Sequence, residues 1–168
     1  KINKMENNKR IDNSFIDIKN KSNESVKALF SEIGIDATDR GGRTLLLNSA
    51  CYDNTELAEW AISQNAEINH QDSTGYSALH FAVQENNIEI TALLLNNTNT
   101  NVDIQDNNGN TPLWRGIYDN VDFEIIELLI RKGANPKLKN LHEVAPIDLV
   151  FDEDENSKKV FEMIMALK

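Results

Sequence analysis

The sequence predicts an all-α solenoid of stacked helix-turn-helix units joined by short hairpin-like turns. The first observation is a repeat, because Asp39, Asp72, Asp106 and Asn140 follow one another at spacings of 33 or 34 residues. The second is that a glycine follows the first three of these residues in the same register. The third is that two apolar runs follow each glycine. A fixed period of this length, with two short apolar runs per period, is typical of repeat proteins built from helix pairs.

The first apolar run of each unit follows the glycine directly and predicts a short helix. In the third unit this stretch reads GNTPLWRGI (109–117). Thr111 offers a hydroxyl oxygen that can cap the helix, and Pro112 suits the first helical position. Thr44 and Ser77 offer the same cap in the first two units. The preceding glycine tolerates the positive φ of a tight turn, so each turn leads straight into a helix.

The second apolar run predicts an antiparallel partner helix. Its three copies are ELAEWAI (56–62), EITALLL (89–95) and EIIELLI (124–130). Asp53, Asn86 and Asn120 stand between the paired helices, where their tolerance of the left-handed region suits a tight turn. Helices this short are marginal alone, so stacking must stabilise them. The predicted core residues are Leu46, Leu79, Leu113, Ile62, Leu94, Leu95, Leu128 and Leu129.

One domain is predicted over residues 11–168, after a frayed segment at residues 1–10. Ile11, Phe15 and Ile18 have helical spacing and predict the first helix of an N-terminal cap. The predicted units are an N-terminal cap repeat (11–38), three full repeats (39–71, 72–105 and 106–139) and a C-terminal cap repeat (140–168).

This pattern resembles that of ankyrin-repeat proteins. The family pattern is D-x-x-G-x-T-P-L-H-x-A, followed by a Leu-rich second helix and G-A-D-V-N before the next Asp. The segments AEINHQDSTGYSALHFA (66–82) and RKGANPKLKN (131–140) follow it closely, and the resemblance extends over residues 35 to about 150. It implies binding of a protein on a concave face lined by the hairpin tips and the first helices. Carried over position by position, the partner-binding residues are Arg40, Arg43, Ser73, Tyr76, Phe81, Glu85, Asn107, Asn108, Asn110, Trp114, Arg115, Tyr118 and Asp119. Phe81 could instead be core, and Trp114 could point inward or outward; Trp60 is expected in the core.

The sequence predicts no enzyme, cofactor site or metal site, because it contains none of the common nucleophile, phosphate-binding or zinc motifs. The resemblance implies that His80 bonds to the backbone between hairpins, whereas His70 and His142 are expected to be exposed. Cys51 is the only cysteine and is expected to be a buried, unreactive thiol. Residues 152–156 (DEDEN) begin like a calcium loop but lack its glycine and its bidentate glutamate, so a solvated turn is predicted.

Charge narrows the classes of partner. The formal net charge is −10: residues 1–38 carry seven basic and six acidic side chains, and the remainder carries ten basic and 21 acidic ones. An acidic repeat region disfavours nucleic acid, and the chain has no apolar run long enough to span a membrane. A partner protein with a basic surface would be steered in favourably. The alternative, that the charge only keeps the protein soluble, is equally open.

The function predicted from these observations is a monomeric, non-enzymatic protein-binding module. Its narrower form is an acidic inhibitor or immunity (antitoxin) protein that neutralises a basic toxin or nuclease. The alternative is a targeting or regulatory fragment of a larger protein, or a host-directed effector. A cytoplasmic location is expected, but the chain begins at Lys1 rather than Met. We therefore expect a trimmed chain, for which export or delivery to a host stays open.

Overall fold

A computed structural model describes residues 4–150 and 155–166 of the protein. The all-α prediction is confirmed: across these ranges the regular structure is helical, apart from an isolated bridge between Gln71 and Ser77. The helices are α1 (Lys4–Lys19), α2 (Asn23–Ile33), α3 (Leu45–Cys51), α4 (Thr55–Ser63), α5 (Ala78–Gln84), α6 (Ile88–Leu95), α7 (Pro112–Tyr118), α8 (Phe123–Arg131), a 3₁₀ helix (Pro146–Leu149) and α9 (Glu155–Met165).

The helices form two parallel rows. The inner row contains α1, α3, α5, α7 and the 3₁₀ helix, and each of its members packs against the next. The outer row contains α2, α4, α6, α8 and α9, which pack in the same order. Within each unit the inner helix also packs against its own outer helix, as α3 does with α4 and α5 does with α6. The repeating units therefore lie side by side, as their regular spacing predicts.

The inner helices begin where a hydroxyl caps them. Thr44, Ser77 and Thr111 each accept a hydrogen bond from the backbone N–H three residues later, at 3.5, 3.4 and 3.1 Å. The fourth unit has Ala145 at this position, which supplies no side-chain cap. An uncapped helix start leaves backbone donors unsatisfied. A short 3₁₀ helix stands here, where the other units form an α-helix.

Each hairpin tip is closed by the first residue of its unit. One carboxylate oxygen of Asp72 accepts hydrogen bonds from the backbone N–H groups of Thr74 and Tyr76, at 2.8 and 3.1 Å. The same arrangement recurs at Asp39, Asp106 and Asn140. The repeated acidic residue thus marks each period because it organises the turn that precedes each inner helix.

Neighbouring hairpin tips bond to one another through their backbones. Asn107 N–H donates to Thr74 O at 3.1 Å, and Leu141 N–H donates to Asn108 O at 2.9 Å. At Gly75 the backbone φ is +82°, and an added Cβ would lie 2.5 Å from the backbone nitrogen of Asn107. Glycine is needed here both for its conformation and for the close approach of the next tip.

The core consists mainly of the predicted leucines. Leu46, Leu79, Leu94, Leu95, Leu113 and Leu129 are buried, and Ile62 and Leu128 are half-buried and pack against them. Asp53, Asn86 and Asn120 adopt positive φ values of 54°, 56° and 52°. The paired helices are therefore joined through the left-handed turns that these residue types favour.

The N-terminal unit differs from the expectation in two respects. Helix α1 starts at Lys4, so residues 4–10 belong to a helix, and residues 1–3 lie outside the described part. Arg10 holds this end through a bidentate contact with Glu32 at 2.8 and 2.7 Å. Phe15 has helical spacing with Ile11 and Ile18 but does not share their burial: it is 45% exposed, because the buried stripe of α1 runs through Ile11, Ser14 and Ile18.

The C-terminal unit is only partly described. Residues 151–154 lie outside the described ranges, so most of the turn predicted at 152–156 does too. Helix α9 begins at Glu155 and packs against α8, which makes it the outer helix of this last unit.

Candidate protein-binding face

The hairpin tips and the exposed sides of the inner helices form one surface, here called the inner face, which corresponds to the concave face implied by the resemblance. Its centre is a group of alternating arginine and aromatic side chains from the three full repeats. We call this group the inner-face cluster; its members are Arg43, Tyr76, Phe81, Trp114, Arg115 and Tyr118.

Arg43 begins the cluster in the first full repeat. Its guanidinium lies 4.6 Å from the ring centroid of Phe81, and its Nε lies 3.2 Å from Asp72 Oδ2. Arg43 Nη1 also approaches Cys51 Sγ at 3.8 Å. Burial raises the pKa of Cys51, and this outweighs the opposing effect of Arg43. The Cys51 thiol, which was expected to be buried, is only half-buried, and its raised pKa favours the protonated form.

Tyr76 links the first part of the cluster to the second. Its ring centroid lies 5.1 Å from that of Phe81 and 5.0 Å from that of His80. On its other flank, the guanidinium of Arg115 lies 5.5 Å from the Tyr76 ring centroid. Burial raises the pKa of the Tyr76 phenol, so it stays neutral and acts as an aromatic platform between two repeats.

Arg115, Trp114 and Tyr118 form the second part of the cluster on α7. Trp114 and Tyr118 are stacked, with centroids 5.0 Å apart and ring planes 14° apart. Arg115 lies 5.7 and 5.9 Å from these two ring centroids and 4.0 and 3.9 Å from the carboxylates of Asp106 and Asp119. Rings and cations at such distances attract each other, so the group is held in place by its own contacts.

The members of the inner-face cluster differ in their exposure to solvent. Tyr118 is 61% exposed, whereas Phe81 is only 5% exposed and lies beneath Arg43 and Tyr76. Trp114 and Arg115 are half-buried, and within the described part of the chain Trp114 Nε1 and Arg115 Nε are buried without a hydrogen-bond acceptor. Tyr118 is therefore the residue of the cluster that another molecule can reach most fully.

The remaining predicted residues surround the cluster. Ser73, Asn107 and Asn108 are exposed at the hairpin tips, and Asn107 Nδ2 donates to Ser73 O at 3.0 Å. Arg40 is exposed and paired with Asp12. Glu85 and Asp119 are exposed at the ends of α5 and α7.

Asn110 differs from these surface residues. It is buried, and its side-chain nitrogen donates to Asp106 at 3.3 Å. Its side-chain oxygen accepts from Asn140 at 2.8 Å. Asn110 and Phe81 therefore lie beneath the inner face rather than on it.

Two of the three histidines, His80 and His70, bond through their rings to the backbone of a neighbouring unit. His80 is fully buried, and its Nε2 lies 3.0 Å from Asn110 O; because a carbonyl only accepts, Nε2 carries the proton and Nδ1 accepts from Ser77. Burial lowers the pKa of His80, which keeps the ring neutral. His142 is exposed as expected, but His70 is not. His70 is half-buried, since Nε2 bonds to Gly42 O at 2.9 Å in the preceding tip.

Sequence reasoning treated Asp72 and Asp106 only as markers of the repeat. In the structure they also hold Arg43 and Arg115 in place, using the carboxylate oxygen that is not occupied by the hairpin backbone. The signal available in the sequence was the recurrence of an arginine on the inner helices or tips near an acidic residue that begins a repeat.

Other kinds of site find little support in the described residues. No group of three or more histidine, cysteine or carboxylate side chains there is arranged to hold a metal ion. Among residues 4–150 and 155–166, no helix combines the length and the apolar character that crossing a bilayer requires.

Comparison with known proteins gives one consistent result. A family model for ankyrin repeats in three copies matches residues 15–106 and 47–140. The fowlpox virus ankyrin repeat protein FPV031 is 32% identical over 124 residues, which cover 70% of this chain and 36% of that protein. The variola virus ankyrin repeat protein OPG189 is 29% identical over 137 residues, covering 80% and 24%. Mouse neurogenic locus notch homolog protein 1 is 27% identical over 146 residues, covering 67% and 6%.

The chain thus spans little more than a third of the length of the first of these relatives and less of the others. The matches still cover all three full repeats, together with most of the N-terminal unit. The chain belongs to the ankyrin-repeat family, whose repeats are typically non-enzymatic modules for protein interaction.

Proposed function

We propose that this protein binds a partner protein through its inner face, with Tyr118 as the main anchor and Trp114, Arg115 and Tyr76 supporting it. The observation that carries this proposal is an arginine–aromatic cluster with a largely exposed tyrosine at its end. Tyrosine, tryptophan and arginine are the residue types that contribute most often to the binding energy of protein interfaces.

The organisation of the cluster supports the same function. Arg43 and Arg115 are already paired with carboxylates, and Trp114 already stacks on Tyr118. A partner that binds here meets side chains whose conformations are restricted, so little conformational entropy is lost on association. Such preorganisation favours a specific interface over a general adhesive surface.

The charge of the repeats supports a narrower form of the proposal. Residues 39–168 carry ten basic and 21 acidic side chains, so the field of this region attracts a basic surface. The narrower form is an acidic inhibitor or immunity (antitoxin) protein that covers the basic cleft of a toxin or nuclease. In this form the protein acts as a monomer.

A second candidate function is supported by the comparisons. The chain matches only 36% and 24% of the lengths of the two poxvirus ankyrin repeat proteins. A targeting or regulatory segment of a longer protein, or of a host-directed effector, fits that relation. The full gene product separates the two candidates, because catalytic sequence outside residues 1–168 would favour this second function.

The decisive experiment is affinity capture from the native source, followed by mass spectrometry, at low and high salt. The bait is the wild-type protein, the Tyr118→Ala variant or a control variant, Phe161→Ala, which removes an exposed aromatic ring from α9. We expect one partner to be retained by the wild type and the control and lost by Tyr118→Ala.

Circular dichroism of each bait confirms that it is folded. Capture of the same partner by all three proteins would move the interface away from the inner face. A partner that is acidic, with binding that salt does not weaken, would remove the inhibitor form but leave the protein-binding function in place.

A further inference from the structure

We propose that Tyr118 and the acidic rim beside it receive a lysine- or arginine-bearing segment of the partner protein, with one cationic side chain lying against the Tyr118 ring. This inference rests on the function proposed above, because it names the chemistry of the partner at the same face. The acidic rim is formed by the turns after α5 and α7 and the first turns of α6 and α8. Its residues are Glu85, Glu89, Asp119, Asp122 and Glu124.

Hydrogen bonds between the two turns make the rim one continuous surface. Asn86 Nδ2 donates to Asp122 Oδ2 at 2.9 Å, and Asp122 N–H donates to Asn86 Oδ1 at 2.9 Å. These two bonds join the turn of the second full repeat to that of the third. Tyr118 is the last residue of α7, so its ring stands at the point where the rim begins.

The charge of the rim is largely uncompensated. Residues 84–90 and 118–124 contain five acidic side chains and no lysine or arginine. Within the described part of the chain, the ion pair found for this set is that of Asp119 with Arg115, at 3.9 Å. Like charges gathered on one surface repel each other, so a cation placed among them is stabilised by several carboxylates at once.

The equivalent turn of the first full repeat provides an internal contrast. There Asp53 lies 4.0 Å from Lys21, and Glu56 lies 2.6 Å from Lys27. The chain thus supplies its own cations to the acidic residues of that turn. In the next two repeats those cations are missing from the described residues beside the rim, and a basic partner can take their place.

The exposed ring of Tyr118 favours a cation that is carried by a long side chain. One face of the Tyr118 ring is stacked on Trp114, yet 61% of the residue stays exposed. The electron-rich face of such a ring attracts a guanidinium or ammonium group. Ile88 lies between Glu85 and Glu89 in the rim segment and is 37% exposed, so it offers apolar area to the stem of a long side chain. A lysine or arginine residue of a protein provides both parts; a nucleic acid backbone would be repelled.

The test uses a random peptide display library selected on the immobilised protein, followed by binding measurements on the selected peptides by fluorescence anisotropy. The variants are Tyr118→Ala and the double change Glu85→Gln with Asp119→Asn. Matched controls are Phe161→Ala and the double change Glu59→Gln with Glu67→Gln, which alter exposed residues away from the rim.

We expect the selected peptides to be enriched in lysine and arginine. Their affinity should fall about fivefold in Tyr118→Ala, the size of effect that an exposed cation–π contact produces. It should fall by about the same factor in the rim variant and stay unchanged in both controls. Raising the ionic strength from about 0.05 to about 0.5 M should weaken binding, since the Debye length shortens.

The failures of the two proposals are distinguishable. Selected peptides that are neutral or acidic, but still depend on Tyr118, would overturn the basic-segment inference and leave the inner-face function standing. Peptides that bind equally to Tyr118→Ala and to the wild type would count against the inner face itself. A library that yields no binder overturns the inference, while capture of a whole partner protein still tests the function.

Discussion

Replacing Gly75 with alanine should destabilise the protein far more than the same change at Gly133. Both glycines have a left-handed backbone, with φ values of +82° and +92°. At Gly133 an added Cβ would meet no atom within 4 Å, whereas at Gly75 it would lie 2.5 Å from Asn107 N and 2.9 Å from the carbonyl carbon of Asp106. The two changes thus share the conformational cost and differ in the clash.

The magnitudes follow from these contacts. A non-glycine residue in the left-handed region costs about 1–2 kcal/mol, and the reduced entropy of the unfolded chain returns about 0.4–1 kcal/mol. We therefore expect Gly133→Ala to lower the free energy of unfolding by about 1 kcal/mol. For Gly75→Ala, overpacking adds about 1–3 kcal/mol, and loss of the bond from Asn107 N–H to Thr74 O adds about 1 kcal/mol. The expected total is about 3–5 kcal/mol.

Urea unfolding followed by circular dichroism measures both variants against the wild type. The comparison is valid if the dependence of free energy on urea is the same for all three proteins. Equal destabilisation by the two changes would show that neighbouring hairpin tips do not approach backbone to backbone. The stacked arrangement of the units would then have to be abandoned.

Three further predictions concern single residues. Burial lowers the pKa of His80 in the folded state, so the neutral ring stabilises the fold fully above its ordinary pKa of 6.5. This stabilisation declines as the pH falls from 6.5 towards the lower pKa of the folded state. The urea concentration at the unfolding midpoint should therefore fall between about pH 7 and 5, and His80→Gln should remove this pH dependence. Asp72→Ala should lower the free energy of unfolding by about 3 kcal/mol, and Asp72→Asn by only about 1 kcal/mol. An amide oxygen can replace the carboxylate in the hairpin, as Asn140 does in its own tip. Equal losses in thermal unfolding would contradict this reasoning. Ala145→Ser should raise the free energy of unfolding by about 0.5–1 kcal/mol through a new helix cap, and an unchanged unfolding midpoint would refute that role.

Features that depend on local rules were predictable from the sequence. Thr111 caps α7 because a hydroxyl before an apolar run suits that position wherever the run packs. Asn86 and Asn120 adopt the left-handed conformation because their residue type tolerates it. The stacking of units was also predictable, since short helices with a regular period have no other way to bury their apolar sides.

Features that depend on a neighbouring unit were not predictable. His70 stands in a turn, where exposure is the usual expectation, but the tip containing Gly42 lies within hydrogen-bond distance. Phe15 has helical spacing with the buried Ile11, yet it is exposed, because the buried face of α1 runs through Ser14 instead. For His70 the deciding contact comes from Gly42, and no local rule relates residues so far apart in the sequence.

The candidate site combines both kinds of feature. The positions that line the face were predictable, because hairpin tips and first helices form one face in this family. The burial of each side chain was not predictable: Tyr118 is exposed, whereas Phe81 is buried. The acidic rim also escaped prediction, because its residues lie in two turns that only the bonds between Asn86 and Asp122 bring together.

Tyr118 and the two arginines of the inner-face cluster differ in how far they can be substituted without loss of stability. Asp72 closes a hairpin with one carboxylate oxygen and holds Arg43 with the other, and Asp106 does the same for Arg115 at a longer distance. Removing either arginine would leave a buried carboxylate without its cation, which destabilises the fold as well as the face. Tyr118 has a different role, because its largely exposed ring stacks on Trp114 and lies 5.9 Å from the guanidinium of Arg115 rather than pairing with a buried charge. Substitutions at Tyr118 can therefore alter binding specificity at little cost to stability, whereas substitutions at the arginines cannot.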